Sequence, residues 1–378
     1  MNKKPFDAPQ ELYTALREHL RHADERDVGH VRPSQLAHAL HAPVRPTLET
    51  LVDALFNGDV VLHWELECPM CKAVSEISNV FLTPLHEEKC AACGAEFTVH
   101  ADEETQVTFS PHPRLRELGP DASDSAHHDA MHHRYPATSV QELMTIQRFR
   151  EWAQNEPLQG NAYLEVRKMT LWFSDLTGST ALYARNGDPF AYSLVREHFD
   201  LVGAAVRQAE GAIVKTIGDG VMAVFTEVGQ GLQAALDANA RLADFNTANG
   251  LAGERRLQLK IGIHSGPAIT VTLNERLDYF GTTVNVAARV SNLARGREIV
   301  LTQTAYDEPG VNEIAARTRF AARTRFAAYP VACFESDIRG LDEKIAVCRL
   351  SLDPTTPSQA PTPAKKSLRD WLSAWRKK

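Results

Sequence analysis

From residue 169 to residue 350 the chain alternates short apolar runs with longer amphipathic stretches, and this alternation restricts it to helices layered on a sheet. Residues 169–174 read as an apolar strand and residues 188–209 as a long helix. Two runs, 212–217 and 221–225, flank Gly218-Asp219-Gly220, which is a hairpin signal. A helix is expected over 229–249. Strands follow at 257–264 and 268–273, with Ser265-Gly266-Pro267 as the turn between them. Residues 282–293 read as a helix, and further strands fall near Ile299 and over 344–350. Hairpin connections make such a sheet mostly antiparallel, so the expected class is α+β.

The rest of the chain divides by composition. At 378 residues, two domains plus linkers are expected. Residues 1–118 form a first module. Its helices are expected over 9–22, with Leu12, Leu16 and Leu20 on one face, from Ser34 onward, and over 48–56, followed by a strand over 60–66. That order is compatible with a winged-helix arrangement. Residues 119–138 are rich in Asp, Ser and His and read as a flexible linker, with His127-His128 and His132-His133 either in solvent or binding metal adventitiously. Ser139 and Glu142 have capping-box spacing and open a connector helix within 139–160. Residues 161–352 carry the alternating pattern, and a Pro/Thr/Ser-rich tether covers 353–364. The tail, 365–378, places Leu368, Trp371, Leu372 and Trp375 at helical spacing among six basic residues and one acidic one. It reads as a membrane-surface anchor, a helix for a protein partner or a helix packed on the protein's own surface. A tandem hexapeptide over 315–326 is too short for a solenoid and reads as a surface-loop insertion.

Composition excludes several classes. A hydrophobic fraction of 43% with 24% charged residues is that of a soluble globular protein. No apolar run reaches the roughly 18 residues needed to span a bilayer, and the N-terminus lacks a signal-peptide core, so a cytoplasmic location is expected. Residues 1–118 carry 11 Lys or Arg against 19 Asp or Glu, and the whole chain has a net charge of −7, so nucleic acid is not an expected partner. Cys68-Pro69-Met70-Cys71 and Cys90-Ala91-Ala92-Cys93 are two knuckles 18 residues apart, the spacing of a zinc ribbon holding one structural Zn²⁺. Cysteines in a reducing compartment favour metal ligation over disulfides, and Cys333 and Cys348 lie far off on apolar segments.

Three motifs carry chemistry. In Phe173-Ser174-Asp175-Leu176-Thr177-Gly178-Ser179-Thr180 a strand ends in a carboxylate and a small-residue turn opens a helix. Such a turn offers backbone N–H groups to phosphates, with the carboxylate placed to hold Mg²⁺ beside them. Lys215-Thr216-Ile217-Gly218-Asp219-Gly220 puts a second carboxylate at a hairpin tip. Two such groups can hold two cations, or Asp219 serves only the turn. In Asp278-Tyr279-Phe280-Gly281-Thr282-Thr283-Val284-Asn285-Val286-Ala287-Ala288-Arg289, Asn285 and Arg289 share one helix face, which suits a transferring phosphoryl group or an ordinary surface. His264 has no evident acid–base partner and reads as a packed histidine.

Together these motifs, in this order and spacing, resemble the class III adenylyl/guanylyl cyclase catalytic domain over about residues 165–350. The resemblance implies a ferredoxin-like α+β domain acting as a head-to-tail homodimer, with two Mg²⁺ or Mn²⁺ per site held by Asp175 and Asp219. It implies that the segment from Phe173, Leu176 and Thr177 to Gly178 and Ser179 meets the substrate. Lys215 and Asp278 match the pair that reads the purine, Asn285 and Arg289 the transition-state residues. Arg339 falls near a basic residue that contacts the triphosphate. A Lys–Asp pair suits adenine, because Lys can donate to ring N1 and the carboxylate can accept from the N6 amino group. The implied reaction is therefore conversion of ATP to cyclic AMP and pyrophosphate in intracellular signalling, with a guanylate cyclase or a catalytically weak cyclase-like sensor as the alternatives. The Gly-Gly-(Asp/Glu)-Glu-Phe signature of diguanylate cyclases is absent.

Overall fold

Leu12, Leu16 and Leu20 recur every fourth residue and form the buried face of α1 (Pro9–His22). The computed structural model describes residues 9–78, 87–154, 163–177, 188–316, 329–338 and 343–352. These fall into two units. The first spans Met1–Met169 with Glu210–Val214 and Gly266–Thr282, and the second holds Thr170–Ala209, Lys215–Ser265 and Thr283–Lys378.

In the first unit α1 is followed by α2 (Pro33–Leu40) and α3 (Val44–Phe56). The strands are β1 (Val60–Glu67), β2 (Val74–Ser78), β3 (Glu87–Lys89), β4 (Glu96–Thr98) and β5 (Thr105–Pro111). An antiparallel sheet runs in the order β2-β1-β5, and β3 pairs with β4. Val31, between α1 and α2, bridges to Phe109 on β5, an order compatible with a winged helix except that β1 and β5 are joined by a long excursion rather than a hairpin.

The expectation of a solvated linker over 119–138 is corrected. Residues Ser125–Arg134 form α4, capped by the Asp124 side chain on the His127 N–H. Buried Arg32 donates to the carbonyls of His132 and Tyr135, each at 2.7 Å, so the open end of α4 is satisfied from within the module. His128 and His132 lie one turn apart on the same helix, and the composition of the segment hid that pairing. His132 Nε2 lies 3.8 Å from an oxygen of buried Glu65, whose other oxygen is 3.0 Å from His30 Nδ1.

The connector also differs from the single helix expected after Ser139. It is two short helices, α5 (Val140–Met144) and α6 (Gln147–Trp152), with the Ser139–Glu142 capping box present. Thr145 breaks the run: its hydroxyl bonds back to Glu142 O, and its own hydroxyl and carbonyl accept from Arg45 at 2.8 and 3.0 Å.

The remaining elements are β6 (Tyr163–Thr177), α7 (Asp188–Gln208), β7 (Ala212–Ile217), β8 (Gly220–Phe225), α8 (Val228–Ala248) and β9 (Gln258–Leu273). This βαββαβ run pairs in the order β9-β6-β8-β7, the ferredoxin-like arrangement. There follow β10 (Arg276–Phe280), α9 (Thr282–Val290), β11 (Glu298–Thr302), α10 (Gln303–Tyr306), α11 (Val311–Ala316), β12 (Val331–Ser336) and β13 (Ile345–Ser351). β11 joins β9 in parallel, and β13 and β12 extend the sheet antiparallel. The core of the second unit packs Trp172 on Phe225 at 5.7 Å between ring centres, with Leu171, Val224, Ile261, Ile263 and Leu301 fully buried. Each such side chain contributes about 1.5–3 kcal/mol.

Two expectations change here. Ser265-Gly266-Pro267 is no turn; β9 continues through it, and the chain reverses at Asn274-Glu275, both with positive φ, before Asp278 pairs with Val271. Pro267 is tolerated because the ladder with β10 begins at Ile269. Cys333 and Cys348 are directly paired on β12 and β13 and form a disulfide, against the expectation of reduced cysteines. The hexapeptide residues 317–326, the tether and the basic tail lie outside the described residues.

Candidate active site

Asp175 and Asp219 are brought together by strand register. Ser174 on β6 pairs with Val221 on β8, so Asp175 directly follows, and Asp219 closely precedes, a paired position on adjacent strands. The tight connection from β7 to β8 needs its glycines. Gly218 has φ +62°, and a Cβ on Gly220 would lie 2.4 Å from the Ser174 carbonyl oxygen. Both carboxylates are half-buried. Two carboxylates on neighbouring central strands form a hard-oxygen donor set that fits Mg²⁺ or Mn²⁺. Lys260 on β9, the other neighbour of β6, places Nζ 2.7 Å from Asp175 Oδ2, so the position already draws a cation. The motif reading missed Lys260, because only the adjacency of β9 and β6 brings it to Asp175.

The other expected residues fall as follows. Phe173 and Leu176 are core side chains, 4% and 3% exposed, so only their backbone is offered to a ligand, whereas Thr177 is exposed. Gly178, Ser179 and Arg339 lie outside the described residues. Lys215 is half-buried on β7. On α9, Thr283, Val286, Ala287 and Val290 are buried, while Asn285 is exposed and Arg289 half-buried on the other side. Asp278 belongs to the first unit. It sits on β10 and is 6% exposed, with Oδ1 accepting from the Tyr279 N–H at 2.8 Å. His264 is packed as expected. Its Nδ1 lies 2.9 Å from Thr302 Oγ1, and burial pushes its pKa down to about 4.

The four knuckle cysteines converge, with Sγ atoms all within 4.8 Å of one another, Cys68 to Cys93 at 3.8 Å and Cys71 to Cys90 at 3.6 Å. Sulfurs about 2.3 Å from a tetrahedral Zn²⁺ would lie about 3.8 Å apart, so the set fits that ion. The four thiols share their protons: the backbone N–H groups of Cys93 and Ala92 pull the Cys90 thiol down to about 6, while hydrogen bonds from Cys71 to the other three sulfurs push that thiol up to about 12.

The second unit thus has a ferredoxin-like strand order, two carboxylates on neighbouring central strands and a helix face carrying Asn285 and Arg289. Residues 163–324 match the adenylate and guanylate cyclase catalytic domain family. Residues 7–143 match a family of unknown function, DUF5939, which takes in α4 and α5 as well as residues 7–118. Over 163 residues the chain is 31% identical to an adenylate cyclase of Anabaena cylindrica, covering 39% of this chain and 32% of that protein. It is 33% identical over 144 residues to an adenylate cyclase of Streptomyces coelicolor, covering 38% and 34% respectively. The chain thus spans about a third of the length of these curated relatives. Among solved structures, the adenylyl cyclase CyaB from P. aeruginosa is similar, with 17% identity and a TM-score of 0.41, over 52% of this chain and 99% of that one.

Proposed function

We propose that the protein is an adenylate cyclase that converts ATP to 3′,5′-cyclic AMP and pyrophosphate as a homodimer. The observation that carries the choice of ATP is the residue pair Lys215 and Asp278. An ammonium donates to adenine N1 and a carboxylate accepts from the N6 amino group, whereas guanine presents the opposite pattern. Two Mg²⁺ or Mn²⁺ ions, held by Asp175 and Asp219, would supply the charge that favours ionisation of the ribose 3′-hydroxyl and offsets that of the departing pyrophosphate.

The chain's own residues do the positioning. Asn285 orients the ribose so that O3′ approaches the α-phosphorus in line. A new O3′–P bond forms as the bond from α-phosphorus to the bridging oxygen breaks, and the hydroxyl proton passes to solvent. Arg289 stabilises the charge that gathers on the α-phosphate oxygens. With the carboxylates from one subunit and Lys215, Asp278, Asn285 and Arg289 from the other, a symmetric dimer holds two sites. One Zn²⁺ on Cys68, Cys71, Cys90 and Cys93 would staple the N-terminal module.

Among the described residues no helix is long and apolar enough to cross a membrane. We read the protein as cytoplasmic, with residues 365–378 as a peripheral membrane contact and no nucleic-acid partner. The deciding experiment is turnover of purified protein with Mn²⁺ and either ATP or GTP. Faster formation of cyclic GMP than of cyclic AMP would overturn the ATP assignment.

A further inference from the structure

The short helix α6 is gripped on two sides by parts of the same unit. On one side it meets the N-terminal module. Arg45 on α3 holds Thr145 immediately before it, and Arg148 lies 3.5 Å from Asp53 and stacks over Phe56 at 3.7 Å. Phe149 packs edge-on against Trp64 of β1, with ring centres 6.4 Å apart. On the other side it meets two strands of the cyclase segment. Arg150, 4% exposed, donates to the Leu277 carbonyl and, at 3.4 Å, to the Tyr279 hydroxyl, the residues on either side of Asp278. Gln147 Oε1 accepts from the Ile213 N–H at 2.9 Å, two residues before Lys215 on β7.

Burying a guanidinium is costly, and an apolar side chain would fill the same space at less cost. What Arg150 supplies is directional. β10 is laddered only to β9 among the described strands, and Arg150 satisfies a carbonyl of β10 from outside that ladder. The carboxylate of Asp278 is thereby set in register from the connector.

We propose that Arg150 and Gln147 are positioning residues for purine recognition. Through them α6 holds β10 and β7, the strands that present Asp278 and Lys215, so the N-terminal module acts on nucleotide affinity and selectivity through this helix. The proposal rests on the reading of Lys215 and Asp278 as the base-reading pair.

The test uses the full chain with Mn²⁺ and compares kcat and KM for ATP and GTP in Arg150→Met, Arg150→Lys, Gln147→Ala, Asp278→Asn and the Arg150→Met/Asp278→Asn double variant. Loss of one buried charge-assisted hydrogen bond in Arg150→Met should raise the KM for ATP about tenfold and lower the ATP/GTP preference, with kcat changed less. Arg150→Lys should recover part of that loss. The double variant should be no more impaired than Asp278→Asn alone, because both changes act on one group. Gln147 is only half-buried, so Gln147→Ala is expected to fold and keeps the test open if Arg150→Met does not. If Asp278→Asn collapses the preference while Arg150→Met and Gln147→Ala leave KM and preference intact, the clamp is overturned. An additive double variant would overturn it too. If Asp278→Asn itself leaves the preference unchanged, the base-reading assignment fails, and the proposal falls with it for that separate reason.

Discussion

Lys260 and Asp175 form an ion pair where the proposed reaction needs a metal ion, so cation and ammonium compete for one carboxylate. Lys260→Met should lower the Mn²⁺ concentration for half-maximal activity about threefold, the modest effect expected of a partly exposed pair. An increased Mn²⁺ requirement would instead make Lys260 a contributor to the site. Asp219→Asn should reduce cyclic nucleotide formation at least about 1,000-fold with an unchanged melting temperature. His264 makes a pH prediction. Its folded pKa of about 4 lies below the ordinary 6.5, so the unfolded chain binds the proton first as pH falls. Stability contributed by the neutral ring is complete above pH 6.5 and is lost progressively between 6.5 and 4, by on the order of 3 kcal/mol. His264→Gln should flatten that part of the melting-temperature profile. At this scale the sequence was informative for carboxylates at strand ends, because a period of two and a glycine turn place them. It was silent on Lys260, which acquires its role only when β9 and β6 become neighbours.

Among the elements, the β7–β8 hairpin was readable from Gly218-Asp219-Gly220 because glycine is the residue that such a turn demands. The β9–β10 reversal was not, since Asn274 and Glu275 carry weaker signals than Ser265-Gly266-Pro267, which looks like a turn and is extended. Likewise α4 hid in a polar composition, because its partner Arg32 is about a hundred residues away in the chain. Close approach of elements sets another constraint. A Cβ on Gly262 of β9 would lie 2.1 Å from the backbone nitrogen of Ser291, just after α9. Gly262→Ala should therefore destabilise the fold by about 1–3 kcal/mol, read as a lowered denaturant midpoint, and loosen the seat of Asn285 and Arg289. An unchanged midpoint would mean that α9 can shift freely, contrary to this packing.

For the whole molecule, the proposed dimer makes a prediction that no single chain can meet. Asp219→Asn and Asn285→Ala homodimers should each be nearly inactive. Mixing them with subunit exchange should restore activity, because each heterodimer keeps one site with every residue intact. If the mixture stays inactive, the two halves of the site belong to one subunit. The cysteine cluster makes a second prediction: elemental analysis should find one zinc per chain, lost in Cys71→Ser/Cys90→Ser.

The pairing of β1 with β5 sets a kinetic condition. These strands form a continuous ladder from Val60–Pro111 to Leu66–Thr105, yet the chain leaves at Cys68 and returns only after Glu104. Closing an excursion of that length has an entropic cost that rises with the free path. Metal captured between Cys68 and Cys93 shortens that path to the residues after Cys93, so the order of events matters. If the cluster binds zinc as proposed, a newly made chain that meets the ion early would zip its sheet at once. A zinc-starved one would dwell with exposed strand edges, the condition in which unrelated copies aggregate.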